Sequence, residues 1–463
     1  MQMAAYTGLT MTPESQLLYA ACCGDTQRVR ELLEQGVPVD SRDGRGRTPL
    51  MLAVRNDCVD TVALLLAAGA DATACNNGRS PVLDGVNNAT IAGLVQERIP
   101  QAQRVQAATR LLFRSHEPEV WKCALAAGAQ VNARNKRADT PLLQHCFYDA
   151  DAERTRVLLE AGANACAKNR CRRTTVSLLA RHNNVESLSL LLAAGADAHE
   201  VDDEGCSPLH HAILWGSVEL AAELLALGLD VNLPDAMGRT PIMHASGDDA
   251  AMIQLLLQAG ADVNARNEQG SVLAHLYGLS EEVSQVLYAA GARYCADIPE
   301  DVRHAICNPF SYWLQQLIDD GLDVNQALAE NHTPLSIAAW AGAAEAMQML
   351  LAAGAADSID VPDPDEGVTA LHAAVIACRE EYSACPENVA ALLAAGADVN
   401  LADKDGWTPL HSCAVYSLPE LAPMLLAAGA NPLLRDNFGQ TPAELAEARG
   451  NMAVVHALQQ PGK

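Results

Sequence analysis

The chain has 463 residues and is acidic, since 57 Asp and Glu residues against 31 Lys and Arg residues give a formal net charge of −26. This charge argues against nucleic acid and anionic membrane surfaces as partners, because contacts with phosphate groups need basic side chains. Apolar residues make up 49% of the chain but aromatic residues only 4%. The interior is therefore expected to be alanine and leucine, which disfavours a β-rich fold or an aromatic-lined catalytic cleft.

One short segment recurs along the chain. It reads LLLAAGAD at Leu64–Asp71 and at Leu190–Asp197, and altered copies begin at Leu158, Leu256, Leu350, Leu392 and Leu425. Leucines at helical spacing bury one face, alanines allow close helix packing, and the glycine permits a left-handed residue at the helix end. Twelve such glycines mark the period, at positions 36, 69, 128, 162, 195, 228, 260, 291, 321, 354, 396 and 429.

A second motif follows most of these glycines after about eleven residues. It begins at Thr48, Thr140, Ser207, Thr240, Thr333, Thr369, Thr408 and Thr441, and it reads Thr-Pro-Leu or a close variant. The hydroxyl side chain caps a helix, and proline suits the first helical position because no backbone N–H is needed there. The two motifs together predict repeated pairs of helices joined by turns.

A period near 33 residues with Thr-Pro-Leu-His and Gly-Ala-Asp-Val-Asn segments resembles the ankyrin repeat family. The resemblance covers roughly residues 14–460. It implies an all-α ankyrin-repeat solenoid of about 13–14 helix-turn-helix repeats with finger loops at the turns. It also implies a curved stack whose concave groove, formed by first helices and finger tips, is the binding surface usual for the family.

The irregular segments are predicted from departures in the period. Residues 1–13 are expected to be a flexible tail, and 14–460 a single solenoid with irregular repeats at about 80–128, 292–332 and 355–396. The first of these, opened by Ser80-Pro81-Val82, is either two degenerate repeats separated by Pro100 or one repeat with an inserted helix. Residues 441–460 are expected to form a polar capping repeat, because a solenoid must cover its last core face.

The sequence lacks three short motifs that are typical of catalysis or of a bound cofactor. Walker-type, Gly-x-Ser-x-Gly and His-Glu-x-x-His segments are absent, so no catalytic residue, metal ligand or cofactor is predicted. In the resembling family the motif histidine, here His210, His372 and His411, bridges neighbouring turns. His210 and His211 lie near Asp202, but adjacent helical residues point about 100° apart and do not converge on a metal.

The candidate partner-binding residues lie seven and eight positions after each motif threonine or its equivalent. By the resemblance, these positions end the first helix and face the groove. They hold more aromatic residues than the chain average predicts, and exposed aromatics often anchor interfaces. Trp215 and Trp340 are the leading candidates, followed by Phe147 and Tyr148. The remaining candidates are Leu214, Arg55, Arg181, His182 and Tyr416, with Trp407 and Arg239 at turn tips. The alternative is that these rings fill gaps between uneven repeats.

The expected function is non-catalytic binding of a partner protein as an adaptor, inhibitor or scaffold. A basic partner surface would complement the charge, and a monomer is expected. Neither a signal peptide nor an apolar run of 18 residues is visible, and the fourteen cysteines show no disulfide framework. Reduced thiols and a cytoplasmic location are therefore expected. Three alternatives remain: an effector translocated without a cleaved signal that acts on foreign proteins, an enzyme hidden in an irregular segment, and a protein that serves only for architectural self-assembly.

Overall fold

The computed structural model describes residues 11–78, 81–276, 278–328, 332–380 and 385–459, with the side chains of residues 380 and 385 excepted. These residues are mainly helical and belong to two compact units, Met1–Ala236 and Met237–Lys463. The predicted all-α helix-pair fold is confirmed.

The first compact unit contains thirteen described α-helices. They are α1 (Pro13–Cys23), α2 (Thr26–Glu34), α3 (Pro49–Arg55), α4 (Val59–Ala67), α5 (Ala89–Arg98), α6 (Gln101–Arg114), α7 (Pro118–Ala126), α8 (Pro141–Tyr148), α9 (Ala152–Glu160), α10 (Thr175–Leu179), α11 (Val185–Ala193), α12 (Pro208–Leu214) and α13 (Val218–Ala226). A 3-10 helix at Val82–Gly85 takes the place of one first helix.

The second compact unit has the same helix-pair pattern with one short hairpin. Its described helices are α14 (Ala250–Gln258), α15 (Val272–His275), α16 (Glu281–Ala289), α17 (Pro299–Cys307), α18 (Tyr312–Asp319), α19 (Pro334–Trp340), α20 (Ala344–Ala352), α21 (Ala370–Ala377), α22 (Cys385–Ala394), α23 (Pro409–Tyr416), α24 (Ala422–Ala427), α25 (Pro442–Arg449) and α26 (Met452–Gln459). Strands β1 (Arg266–Asn267) and β2 (Gly270–Ser271) pair antiparallel, with Arg266 opposite Ser271.

The first helix of each regular repeat begins at the capped threonine. The Thr48 hydroxyl accepts a hydrogen bond from the Met51 N–H, and the equivalent Thr140 accepts one from Leu143, both at 3.3 Å. Each cap satisfies one of the backbone donors that a helix N-terminus leaves open. The proline of the motif then occupies the first helical position.

The motif histidines tie one repeat to the next. The Thr369 N–H donates to Nδ1 of His372, and the opposite ring nitrogen Nε2 donates to the Trp407 carbonyl at 2.9 Å. His411 makes the same bridge to the Gln440 carbonyl at 3.1 Å. Burial lowers the pKa of both imidazoles, which favours the neutral ring that this arrangement requires. The predicted bridging role is confirmed for these two residues.

The asparagine of the Val-Asn segment makes a second link between repeats. The Asn132 amide donates to the Gly162 carbonyl at 2.9 Å and accepts from the Asn164 N–H at 2.7 Å. In the second compact unit, Asn400 makes the equivalent pair with Gly429 and Asn431. These bonds satisfy polar groups at the turn that ends each second helix.

The core of each compact unit is a layer of small and branched side chains between successive repeats. First helices pack on first helices, as α8 does on α10, and second helices on second helices, as α9 does on α11. Leu65, Leu142 and Leu191 are fully buried in the first unit, as are Leu256 and Leu350 in the second. The recurring leucines of the sequence are therefore the residues that join neighbouring repeats.

The irregular segments also contain helix pairs. Residues 82–98 and 101–126 form two helix pairs. Of the two predicted arrangements, this one corresponds to two degenerate repeats. Ser80, predicted to open the first of them, lies outside the described residues. Helix α1 begins at Pro13, within the segment expected to be a tail, because the Thr12 side chain caps it. Helices α17 and α18 form a pair within 292–332, and a 3-10 helix at Ala355–Ser358 lies in the lengthened acidic turn.

The cysteines depart from expectation at one position. Twelve are free thiols, but Cys378 is disulfide-bonded, so the expectation that all cysteines are reduced is wrong at this residue. Spacing in the sequence does not show which cysteines an inserted segment brings within bonding distance.

The contact between neighbouring fingers of the second compact unit gives a first testable prediction. Gly406 has φ +81°, and a Cβ there would lie 2.7 Å from the Asn437 nitrogen. Gly406→Ala is expected to reduce the free energy of unfolding by about 2 kcal/mol, through left-handed strain and this clash. Gly429→Ala is the control, because its φ is +97° and a Cβ would contact nothing within 4 Å. Equal losses in urea unfolding of the two variants would contradict the role of the finger contact.

Candidate binding surface

Three consecutive repeats of the first compact unit place an arginine between two aromatic rings. Phe147, Arg181 and Trp215 lie 34 residues apart, at the two adjacent repeat positions that were predicted to face the groove. The Arg181 guanidinium carbon lies 4.7 Å from the centroid of the Phe147 ring and 4.4 Å from that of Trp215. Each cation–π contact of this kind contributes about 0.5–1 kcal/mol at exposed sites. The three side chains therefore form one continuous stack across three repeats.

The stack is flanked by exposed apolar side chains. The Tyr148 ring packs edge-on against Phe147, with centroids 4.9 Å apart. Tyr148, Leu214 and Trp215 remain 56%, 57% and 54% exposed, so more than half of each side chain is open to a partner. We call the six predicted residues at this place the stack surface: Phe147, Tyr148, Arg181, His182, Leu214 and Trp215.

The segment that carries Arg181 is fixed on both sides by hydrogen bonds. The His182 Nε2 donates to the Phe147 carbonyl at 2.9 Å, and the Asn184 amide donates to the Ala150 carbonyl at 3.0 Å, both in the preceding repeat. Asn183 has φ 51°, donates to the Glu219 carboxylate and accepts from the Leu220 N–H at 2.9 Å, both in the following repeat. The stack surface is therefore ordered before any partner binds, which reduces the entropy cost of binding.

The two adjacent histidines of α12 serve the fold. His211 Nε2 lies 3.0 Å from the Asp202 carboxylate, while His210 Nδ1 accepts from the Ser207 N–H. Burial alone would raise the pKa of Asp202, but backbone N–H donors and His211 bring it below its ordinary value. Arg173 also contacts this carboxylate at 3.3 Å. As predicted, the two imidazoles do not converge: one is bonded to a finger carboxylate and the other to the helix cap.

The other predicted residues are not members of the stack. Arg55 is exposed at the end of α3 in the first compact unit. In the second compact unit, Trp340 is 38% exposed at the end of α19, and half-buried Tyr416 has the Arg379 guanidinium carbon 5.6 Å from its ring centroid. Half-buried Trp407 lies in the finger before α23, and its indole N–H has no hydrogen-bond partner among the described residues. Arg239 is half-buried.

The sequence had not predicted that Arg181 joins the two rings. The signal was present, since an aromatic, an arginine and an aromatic follow one another at equal 34-residue intervals. Enrichment of aromatic residues identified the rings, whereas the stacking depends on the distance between repeats, which only the structure supplies.

The described helices are all short. The longest, α6, has 14 residues, and among the described residues no helix combines the length and apolar character that crossing a bilayer requires.

The chain matches three family models for ankyrin repeats. One, for three repeat copies, matches residues 8–88 and 176–267. A single-repeat model matches residues 366–404, and a many-copy model matches 392–446. Together these ranges cover more than half of the sequence.

Curated relatives match only parts of the chain. An E3 ubiquitin-protein ligase KEG from Arabidopsis thaliana is 31% identical over 41% of this chain and 13% of its own length. NF-kappa-B inhibitor zeta from Bos taurus is 27% identical over 39% of this chain and 27% of its own. Protein PhlB from Serratia liquefaciens is 41% identical over 22% of this chain and 41% of its own.

The matched part is thus well under two thirds of each relative. The similarity to the ligase extends only through its repeats. Ankyrin repeats are protein–protein interaction modules and are generally not catalytic. The family models, the helix pairs and the cross-repeat bonds agree, and the chain belongs to the ankyrin repeat family.

Proposed function

We propose that this chain binds a partner protein as an adaptor, inhibitor or scaffold, without catalysis of its own. The observation that carries the proposal is the stack surface, where exposed aromatic and aliphatic side chains adjoin a guanidinium held between two rings. Tyrosine, tryptophan and arginine are the residues that most often contribute binding energy at interfaces. Gap filling does not explain this arrangement, because Trp215 and Tyr148 leave more than half of their surface open to solvent.

The proposed partner has a basic surface. The net charge of −26 accelerates encounter with a basic protein and orients it, while apolar anchors supply most of the affinity. The chain acts as a monomer in the cytoplasm in this proposal. The groove formed by first helices and finger tips serves as the contact face, with the stack surface as its anchor in the first compact unit.

Affinity capture from lysate of the source cells tests the proposal. A tagged full-length chain is compared with the double variant Tyr148→Ala plus Trp215→Ala, and captured proteins are quantified by mass spectrometry. We expect the amount of a specific captured partner to fall at least tenfold with the double variant. Truncating an anchor residue commonly costs about 1–2 kcal/mol or more of binding free energy. Met452→Ala is the control, since this side chain is 61% exposed but lies on the second helix α26, outside the first helices and finger tips. Equal capture by all three proteins would overturn the assignment of function to this surface.

Arg181→Lys separates charge from stacking. Lysine keeps the positive charge but lacks the planar guanidinium that lies between Phe147 and Trp215. We expect the captured partner to bind about three- to tenfold more weakly in titration calorimetry, with an unchanged salt dependence. Full affinity in the lysine variant would show that the stack does not contribute through its geometry.

A further inference from the structure

A second feature lies on the second helices of three consecutive repeats in the second compact unit. Helices α16, α18 and α20, with the turn after α16, surround a cavity of about 660 Å³. Its lining includes two tyrosines, three carboxylates and a glutamine. We call it the acidic cavity, and these residues are Tyr288, Tyr312, Asp319, Asp320, Glu345 and Gln316.

The two rings of the acidic cavity are held by a buried tryptophan. The Tyr288 centroid lies 5.0 Å from that of Tyr312 and 5.4 Å from that of Trp313. The Ser284 hydroxyl is hydrogen-bonded to the Tyr312 hydroxyl and accepts from the Trp313 indole N–H at 2.8 Å. Tyr288 is nevertheless 52% exposed, so it presents a fixed ring surface at the cavity.

The cavity carries more negative charge than its own residues neutralise. Arg293 lies 3.1 Å from both Asp320 oxygens and compensates that carboxylate. Among the described residues, the hydrogen-bond donor to the Asp319 carboxylate is the neutral Gln315 amide, at 2.8 Å. Glu345 is exposed and forms no ion pair with the described residues. Two carboxylates therefore remain without a cation in this part of the structure.

One hydrogen-bond acceptor of the lining is also unsatisfied. The Gln316 carbonyl oxygen has almost no solvent contact and no donor among the described residues. A buried acceptor without a donor costs roughly 1–3 kcal/mol. A ligand that brings several N–H groups would satisfy the two uncompensated carboxylates together, whereas an anionic or purely apolar ligand would not.

We propose that the acidic cavity receives an arginine or lysine side chain of a partner protein. The tyrosine rings attract a cation through their faces, and the carboxylates supply charge-assisted hydrogen bonds. Arginine is the better fit, because its flat group stacks on a ring while its N–H groups reach several acceptors. The proposal deepens the proposed function by stating the chemistry of the partner, but the cavity lies on other helices than the stack surface and is tested separately.

The test uses the full chain and three labelled peptides. Each has fifteen residues of glycine and serine with four evenly spaced arginines, lysines or glutamines. Fluorescence anisotropy at 0.15 M salt is expected to give the order arginine tighter than lysine, with at least tenfold weaker binding of the glutamine peptide. Hydrogen exchange with the arginine peptide is expected to slow in α18 and at the start of α20.

Matched variants distinguish the cavity from the general attraction of an acidic protein. The double variant Asp319→Asn plus Glu345→Gln is expected to bind the arginine peptide about tenfold more weakly. Asp357→Asn plus Glu366→Gln removes the same charge from exposed positions outside the cavity lining, and a change below twofold is expected. Tyr288→Leu should weaken binding about threefold, while Tyr288→Phe keeps the ring and the affinity.

Two results would overturn the proposal. One is equal weakening by both charge-removing pairs, which would mean attraction by net charge alone; the other is equal binding of the glutamine peptide. Circular dichroism melting confirms that each variant is folded. The stack double variant Tyr148→Ala plus Trp215→Ala is expected to keep full peptide affinity. If this variant no longer captures the partner from lysate but still binds the arginine peptide, the capture depends on the stack surface and the peptide binding on the acidic cavity.

Discussion

Replacing Trp313 by alanine is expected to reduce the free energy of unfolding of the second compact unit by about 3–5 kcal/mol, the usual cost of deleting a large buried aromatic. Trp313 is fully buried. Its ring packs against Tyr288, Tyr294 and Tyr312 at centroid distances between 5.1 and 5.7 Å. The variant would leave a cavity among these rings and also remove the indole donor to Ser284.

Urea unfolding followed by far-ultraviolet circular dichroism measures this loss. Trp313→Phe should lose less, because the ring volume is largely kept and only the hydrogen bond and part of the packing disappear. Trp215→Ala is the control for removing a tryptophan from a half-exposed position, and it should cost less than about 1 kcal/mol. A loss of similar size in Trp313→Ala and Trp215→Ala would contradict the packing role of Trp313.

The regular repeats could be predicted from the sequence because their physics is local. A capped threonine, a proline and a terminal glycine each determine a helix end within a few residues. Trp313 shows where this reasoning stops. It lies eight residues before Gly321, at a position where the two preceding repeats have Met252 and Val283. The sequence therefore shows that a tryptophan stands where neighbouring repeats have a smaller residue. It does not show which rings pack around the larger side chain.

The two candidate sites differ in the same way. The stack surface could be located from the sequence, because its rings occupy two adjacent repeat positions where aromatic residues are more frequent than in the chain as a whole. The acidic cavity was not predicted, because Tyr288, Asp319 and Glu345 lie on three different second helices. Their proximity depends on how second helices pack on one another, and this packing depends on side chains that vary from repeat to repeat.

Acid is expected to destabilise the first compact unit through His145. The imidazole is buried, packs edge-on against Trp121 and has Nε2 3.0 Å from the Asp151 carbonyl and 3.1 Å from the Thr155 hydroxyl. Burial lowers its pKa from 6.5 to about 4. The hydrogen bond to the Asp151 carbonyl raises the pKa, and the positive charge of Arg154 lowers it further. The unfolded chain therefore binds a proton more readily than the folded one. The stabilisation is complete above about pH 6.5 and is lost as the pH falls towards 4.

The expected loss from this residue is about 1.4 kcal/mol per pH unit, or roughly 3 kcal/mol between pH 6.5 and pH 4. Urea unfolding at several pH values measures it, and His145→Gln is the informative comparison. Glutamine cannot take up the proton, but its amide can still donate to a carbonyl. Because His211 has a lowered pKa in the same unit, both proteins should lose stability in acid, the variant less steeply. Parallel pH profiles for the two proteins would show that His145 is not held neutral by the fold.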